Sequence, residues 1–248
     1  MATRMGRDPP AELRGGHGGE LRGVLMDETS YTWSYSSLGM FKQCPHKYYR
    51  VRIAQNVKEP PTDAIRYGLM VHEAAEKYIR DGVDLPPTVE YVRPILDKLI
   101  GYPGDKYCEY KMALNRALEP CAFDSPDAWW RGIADLLIID GDMARVVDYK
   151  TGKSAKFADT KQLELLSLAT FKHFPQVKRT KCALLFVVSQ EMVKAEYTVK
   201  DTHKYWLNWL SDIALLEKAF KVKTWNPKPN FSCRNWCSVF DCIHNGRS

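Results

Sequence analysis

No stretch of this sequence is long and apolar enough to cross a membrane. Its first residues carry no apolar run of the kind that opens a secretory signal, so an intracellular, cytoplasmic protein is expected. No segment repeats at a fixed period, which excludes repeat architectures. Charge of one sign is not in large excess either. Lys and Arg total 36 against 30 Asp and Glu, a formal net charge of +6, which permits a polyanionic partner without specifying one. The chain does have 248 residues, 45% of them hydrophobic, enough for one sizeable core with appendages. Seven Trp and thirteen Tyr supply rings that fill a core or stack on bases. Seven Cys in an intracellular chain point to metal ligands or buried thiols before disulfides.

The most informative stretch runs from Trp130 to Lys150. Two apolar runs, Gly132–Ile139 and Met143–Tyr149, flank Asp140-Gly141-Asp142 and predict a β-hairpin. Asp135 interrupts the first strand; Asp148 and Lys150 interrupt the second and share a face. A two-residue turn puts Asp135 on that face too, and a regular three-residue loop puts it on the other. Apolar residues on both sides of the first strand predict a covered sheet. Carboxylates buried there need a cation, and Lys150 alone hardly neutralises two. A divalent metal would. The bland alternative is a hairpin with a solvated Asp–Lys pair.

Elsewhere the pattern predicts a mixture of helices and strands. Residues 1–30, with a Gly-rich run at 15–19, are expected to form a disordered tail. A short helix capped by Ser36 or Ser37 leads to Cys44 and Pro45, where Lys42, Lys47, Arg50 and Arg52 interleave with aromatics as a candidate phosphate-contacting surface. A helix capped by Asp63 covers 64–80, with Gly68 one turn before His72. A further helix covers 88–99, and a strand covers 107–118. Glu109 and Glu119 border that strand and either could approach a metal; their spacing does not compel this, and both read as solvated. An amphipathic helix is expected over 159–174, strands over 181–189 and 192–199, and a long helix over 202–222. Near the C-terminus, Cys233, Cys237 and Cys242 fall within ten residues, most of a thiolate metal site, with Cys44 or His244 as the fourth ligand. Cys108, Cys121 and Cys182 read as core thiols.

The order of these features resembles the RecB-type branch of the PD-(D/E)XK nuclease superfamily, which includes CRISPR adaptation nucleases and many phage exonucleases. The residues carrying the resemblance are Ser37-Leu38-x-x-Phe41-x-x-Cys44-Pro45-x-Lys47-Tyr48, Gly68-x-x-x-His72, Gly132-x-Ala134-Asp135, and Asp148-Tyr149-Lys150-Thr151-Gly152. Gln162 matches the start of a Gln-x-x-x-Tyr motif whose Tyr position here holds Leu166. The match spans about residues 34–245. It implies an α/β fold with a central mixed sheet flanked by helices, within one domain over 31–248 that includes a cysteine-rich segment at 225–248. It further implies that His72, Asp135, Asp148 and the Tyr149 carbonyl bind Mg²⁺ or Mn²⁺, with Asp135, Asp148 and Lys150 catalytic. Gln162, Lys47 and Tyr48 become candidate DNA contacts. Cys44, Cys233, Cys237 and Cys242 follow the arrangement of members that hold a [4Fe–4S] cluster, zinc being the alternative.

The function so implied is metal-dependent exonucleolytic hydrolysis of DNA, on single strands or at duplex ends, in recombination, repair or phage replication within a bacterial or phage-infected cell. Two other readings compete with it. One is a non-catalytic iron–sulfur or zinc DNA-binding module on a decayed nuclease fold, which the joint presence of Asp135, Asp148 and Lys150 argues against. The other is a structure-specific endonuclease.

Overall fold

The structure, a computed structural model, describes residues 31–156 and 158–247. The tail expected at 1–30 lies outside the described residues. Among the described residues, no helix is long and apolar enough to cross a membrane.

A six-stranded mixed sheet forms the centre. In chain order its strands are β1 (Asp105–Leu114), β2 (Pro120–Cys121), β3 (Trp130–Asp140), β4 (Met143–Lys150), β5 (Arg179–Phe186) and β6 (Glu191–Thr198). Their spatial order is β2-β1-β3-β4-β5-β6, antiparallel throughout except for the parallel pair β4–β5. That parallel pair requires a crossover, supplied by helix α5 (Lys161–His173). The other helices are α1 (Tyr35–Gln43), α2 (Pro45–Tyr48), α3 (Asp63–Asp81), α4 (Arg93–Gly101) and α6 (Thr202–Val222).

Local chemistry accounts for most of the boundaries. The first helix starts two or three residues earlier than expected, because Ser34 and Ser37 form a reciprocal capping box. Pro45 occupies the first turn of α2, where its missing N–H leaves no bond unmade, and the chain continues as a π-helical turn over Tyr49–Ile53. The cap of α3 is Thr62, not Asp63: its side chain accepts from the Ile65 N–H. Gly82, in a left-handed conformation, ends that helix. The helix expected over 88–99 divides into a 3₁₀ segment, Pro87–Val92, and α4. The hairpin closes through the two-residue turn Gly141-Asp142, with Gly141 at φ 59°.

Two apolar layers sandwich the sheet, one on each face. One contains Met112, Leu137, Val146, Leu163, Leu166 and Trp209, joining the sheet to α1, α5 and α6. The other contains Val71, Ala75, Leu96, Leu136, Ile138 and Val147, joining it to α3 and α4. Double coverage explains the near-continuous apolar reading of β3 and β4. It also overturns the expectation of an amphipathic α5. Every residue from Leu163 to Phe171 is buried, because α5 lies between the sheet and α6.

Candidate active site

The β3–β4 ladder ends at Leu136↔Val147, and beyond it the strands part. Asp135 fills the gap. Its Oδ2 accepts from the Tyr149 N–H at 2.6 Å, taking the place of a ladder bond. Its Oδ1 lies 3.4 Å from His72 Nδ1. The other ring nitrogen, Nε2, sits 3.1 Å from the Tyr149 carbonyl. A donor at Nε2 leaves Nδ1 as the nitrogen that faces the carboxylates. Helix α3 can bring His72 this close because Gly68 has no side chain: a Cβ there would lie 3.3 Å from Thr151 Oγ1, in the loop after β4. Gly132 is constrained more tightly, since a Cβ would meet the Trp130 indole at 2.5 Å.

The second half of the site lies along β4 and α5. Asp148 is 3% exposed. Its Oδ1 accepts from Gln162 Nε2 at 2.7 Å, and Gln162 Oε1 accepts from Lys150 Nζ at 2.9 Å. Lys150 Nζ also lies 2.6 Å from Asp148 Oδ2, a close ion pair. Burial and the charge on Asp135 hold the Asp148 carboxyl above the ordinary carboxylate range, against the opposing pull of Lys150. Burial alone would lower the His72 pKa. The carboxylates of Asp135 and Glu109 outweigh it and push the imidazole up to about 10.

Glu109 is the residue that sequence reasoning missed. Expected to be solvated, it stands with its Oε1 3.8 Å from His72 Nδ1, and one ligand atom each of His72, Glu109 and Asp135 lie within 4.8 Å of one another. Only strand pairing brings it there, and no local motif announces that. Glu119 behaves as expected, in an exposed ion pair with Lys172. The imidazole of His72 and the carboxylates of Glu109 and Asp135 form a donor set that fits a hard divalent cation, with the imidazole favouring Mn²⁺ over Mg²⁺; Asp148 lines the same cleft outside that group, paired with Lys150.

The expected DNA-contacting residues fare differently. Gln162 points inward, bridging Lys150 and Asp148. Tyr48 is 2% exposed and packs against Phe41 and Trp225, so its ring is a core element at the wall of the cleft. Lys47 is held by Glu59 at 2.7 Å, and Lys42 and Arg50 pair with Asp212 and Asp241. Most of the expected basic surface therefore serves internal ion pairs. Arg52 and Arg131 instead line the cleft that contains the carboxylates, a cavity of about 1080 Å³.

Cys44, Cys233, Cys237 and Cys242 line one small cavity between α1–α2 and the C-terminal segment. The Lys228 N–H points at Cys44 Sγ (3.5 Å) and the Asn230 N–H at Cys233 Sγ (3.4 Å). Among the described residues, no three of these sulfurs come within 4.8 Å of one another. Cys182 is buried in the core, as expected, and Cys108 and Cys121 are half-buried.

An acidic strand, an Asp-x-Lys strand and a helical histidine, gathered where a mixed sheet splays, are the arrangement of a metal-dependent nuclease. The sequence matches the PD-(D/E)XK nuclease superfamily over residues 32–101 and 109–242, and the chain belongs to that superfamily. Its substrate class is therefore nucleic acid and its chemistry uses a divalent metal. No curated protein matches the chain. Among solved structures, a protein from Eubacterium rectale that is provisionally named an exonuclease shares the fold at 10% identity and a TM-score of 0.51, over 91% of this chain and 95% of its own. The crystal structure of SSO0001 aligns at 13% identity and a TM-score of 0.41, over 86% of this chain and 87% of that one.

Proposed function

We propose that the protein is a divalent-metal-dependent DNA exonuclease, acting on single strands or duplex ends in recombination, repair or phage replication. The observation that carries this reading is the shared cleft: His72, Asp135, Asp148 and Lys150 line it together with Arg52 and Arg131. Three carboxyl or imidazole donors and a lysine stand where a phosphodiester would enter, and two guanidiniums line the same cleft, where flanking phosphates would lie. The fold shared with the Eubacterium rectale protein supports the exonuclease form of this activity.

In this reading His72, through Nδ1, with Asp135 and Asp148 holds Mg²⁺ or Mn²⁺. A bound ion of this kind lowers the pKa of water and neutralises charge on phosphate. The Tyr149 carbonyl fixes the tautomer and tilt of His72, and its N–H orients Asp135. Lys150 lies close enough to Asp148 to steer a water nucleophile and to stabilise charge building on the phosphorus oxygens. Gln162 keeps the flexible lysine pointed into the site. End-labelled linear and closed circular DNA, incubated with Mn²⁺, Mg²⁺ or EDTA, test the assignment. Metal-dependent loss of linear DNA with intact circles is expected. Nicked circles would replace the exonuclease by an endonuclease, and no cleavage of either substrate would refute both.

We also propose that Cys44, Cys233, Cys237 and Cys242 hold one [4Fe–4S] cluster in a segment at 225–248 that belongs to the nuclease domain over 31–248. Support comes from their common cavity and from the two backbone N–H groups aimed at sulfur, which offset thiolate charge. Sulfurs on one zinc ion stand about 3.8 Å apart, given Zn–S bonds of about 2.3 Å. Thiolates on a cubane bind separate irons and stand farther apart.

A further inference from the structure

We propose that Glu109 is a fourth protein ligand of the active-site metal, supplied by β1 and lying outside the acidic motifs of β3 and β4. This rests on the metal-dependent reading of the cleft.

Strand pairing sets the position. Cys108 pairs with Leu136 and Tyr110 with Ala134, so Glu109 stands directly opposite Asp135 and yet is absent from the ladder. Side chains so opposed are about 4.5–5.5 Å apart at Cβ, and like charges there repel unless a cation lies between them. The packing on each strand also changes phase at this point. In a regular strand Ala134 would share a face with Leu136, but it packs in the layer that holds Leu137 and Ile139. On β1, Tyr107 and Tyr110 lie in that same layer, whereas Cys108 lies in the other. Both strands therefore skip one step together, at Glu109 and Asp135.

The backbone cause is visible at Glu109, whose φ is 50°. A left-handed residue inside a strand costs on the order of 1–3 kcal/mol for a side chain other than glycine. The core does not need a glutamate at this strained position, since its side chain is about a third exposed. The strain turns the carboxylate to the mouth of the cleft, 3.8 Å from His72 Nδ1 and within ligand reach of Asp135. Asp148, paired with Lys150, lines the same cleft. A carboxylate from β1 thus joins His72 of α3 and Asp135 of β3 in one group of ligand atoms. The added carboxylate also balances the site. With Asp135, Asp148 and Lys150, it gives a net charge that one divalent ion cancels.

The test is metal binding without DNA. Mn²⁺ affinity is measured by electron paramagnetic resonance and by the metal-dependent rise in melting temperature for wild type, Glu109→Gln and Glu109→Gly. Glutamine keeps the shape and removes the charge. Glycine removes the side chain and accepts a positive φ without strain, so that variant folds even where glutamine does not. Both variants should bind Mn²⁺ about tenfold or more weakly, comparable with losing a group that supports a metal site. Wild-type Mn²⁺ affinity in the folded variants would overturn the assignment, even where cleavage is slowed. Weakened Mn²⁺ binding in a protein that cleaves no DNA would uphold Glu109 as a ligand while removing the nuclease function.

Discussion

Replacing Asp148 by asparagine should strengthen the metal-free fold while destroying activity. Asp148 is 3% exposed and faces Asp135; burial and that charge push its carboxyl from an ordinary 3.8 up to about 6. A carboxyl whose pKa is raised on folding binds more protons in the native state than in the unfolded state between those two values. Its ionised form therefore destabilises the fold progressively as pH rises from about 4 to 6, and fully above that. At about 1.4 kcal/mol per pH step the cost approaches ~3 kcal/mol. Asparagine keeps the Gln162 bond but leaves Lys150 facing an amide, so the net gain at pH 7.5 is on the order of 1–3 kcal/mol, a rise in melting temperature of about 2–10 °C. The assay is urea unfolding in EDTA from pH 4.5 to 8, wild type against variant. The difference should be small at the acid end and grow through pH 6, while cleavage by the variant falls by about a thousandfold. A difference that does not change with pH, or a variant less stable than wild type at pH 7.5, would refute the reasoning.

Lys150→Ala should abolish turnover while leaving Mn²⁺ affinity close to wild type, as read by titration calorimetry; lost metal binding would make Lys150 a structural partner of Asp148. His72→Ala should raise the Mn²⁺ concentration needed for half-maximal cleavage by about tenfold or more, and an unchanged requirement would mark His72 as structural. Because His72 is held protonated by its carboxylates, with its pKa up to about 10, metal uptake at pH 7.5 should release a proton, detectable as a dependence of the calorimetric heat on buffer ionisation enthalpy. Anaerobically purified protein should be brown and carry about four irons, and Cys44→Ser should lower the melting temperature of the whole protein because it unties α1–α2 from the C-terminal segment. Colourless protein with stoichiometric zinc would overturn the cluster and leave the nuclease site standing.

Features of the site governed by nearest neighbours were legible in the sequence alone. Gly141 between apolar runs announced the hairpin, helical spacing placed Gly68 one turn before His72, and Asp148-x-Lys150 announced a charged pair on one face of β4. Turn geometry, helical spacing and strand alternation act over a few residues, so the chain encodes them locally. The cap of α3 was misplaced by one residue because Thr62 and Asp63 both suit the role and only the geometry of the first turn chooses between them. The approach of Glu109 to His72 and Asp135 could not be read, since it follows from the pairing of β1 with β3 and from a left-handed residue that shifts both strands together. The burial of α5 on all sides depends on α6, which arrives much later in the chain. The inward turn of Gln162 and the burial of Tyr48 likewise depend on what packs around them. The sequence by itself determined the hairpin that carries Asp135, Asp148 and Lys150 and the helix that carries His72. The tertiary structure alone decided which of those residues meet, because contacts between segments distant in the chain arise from how the layers pack.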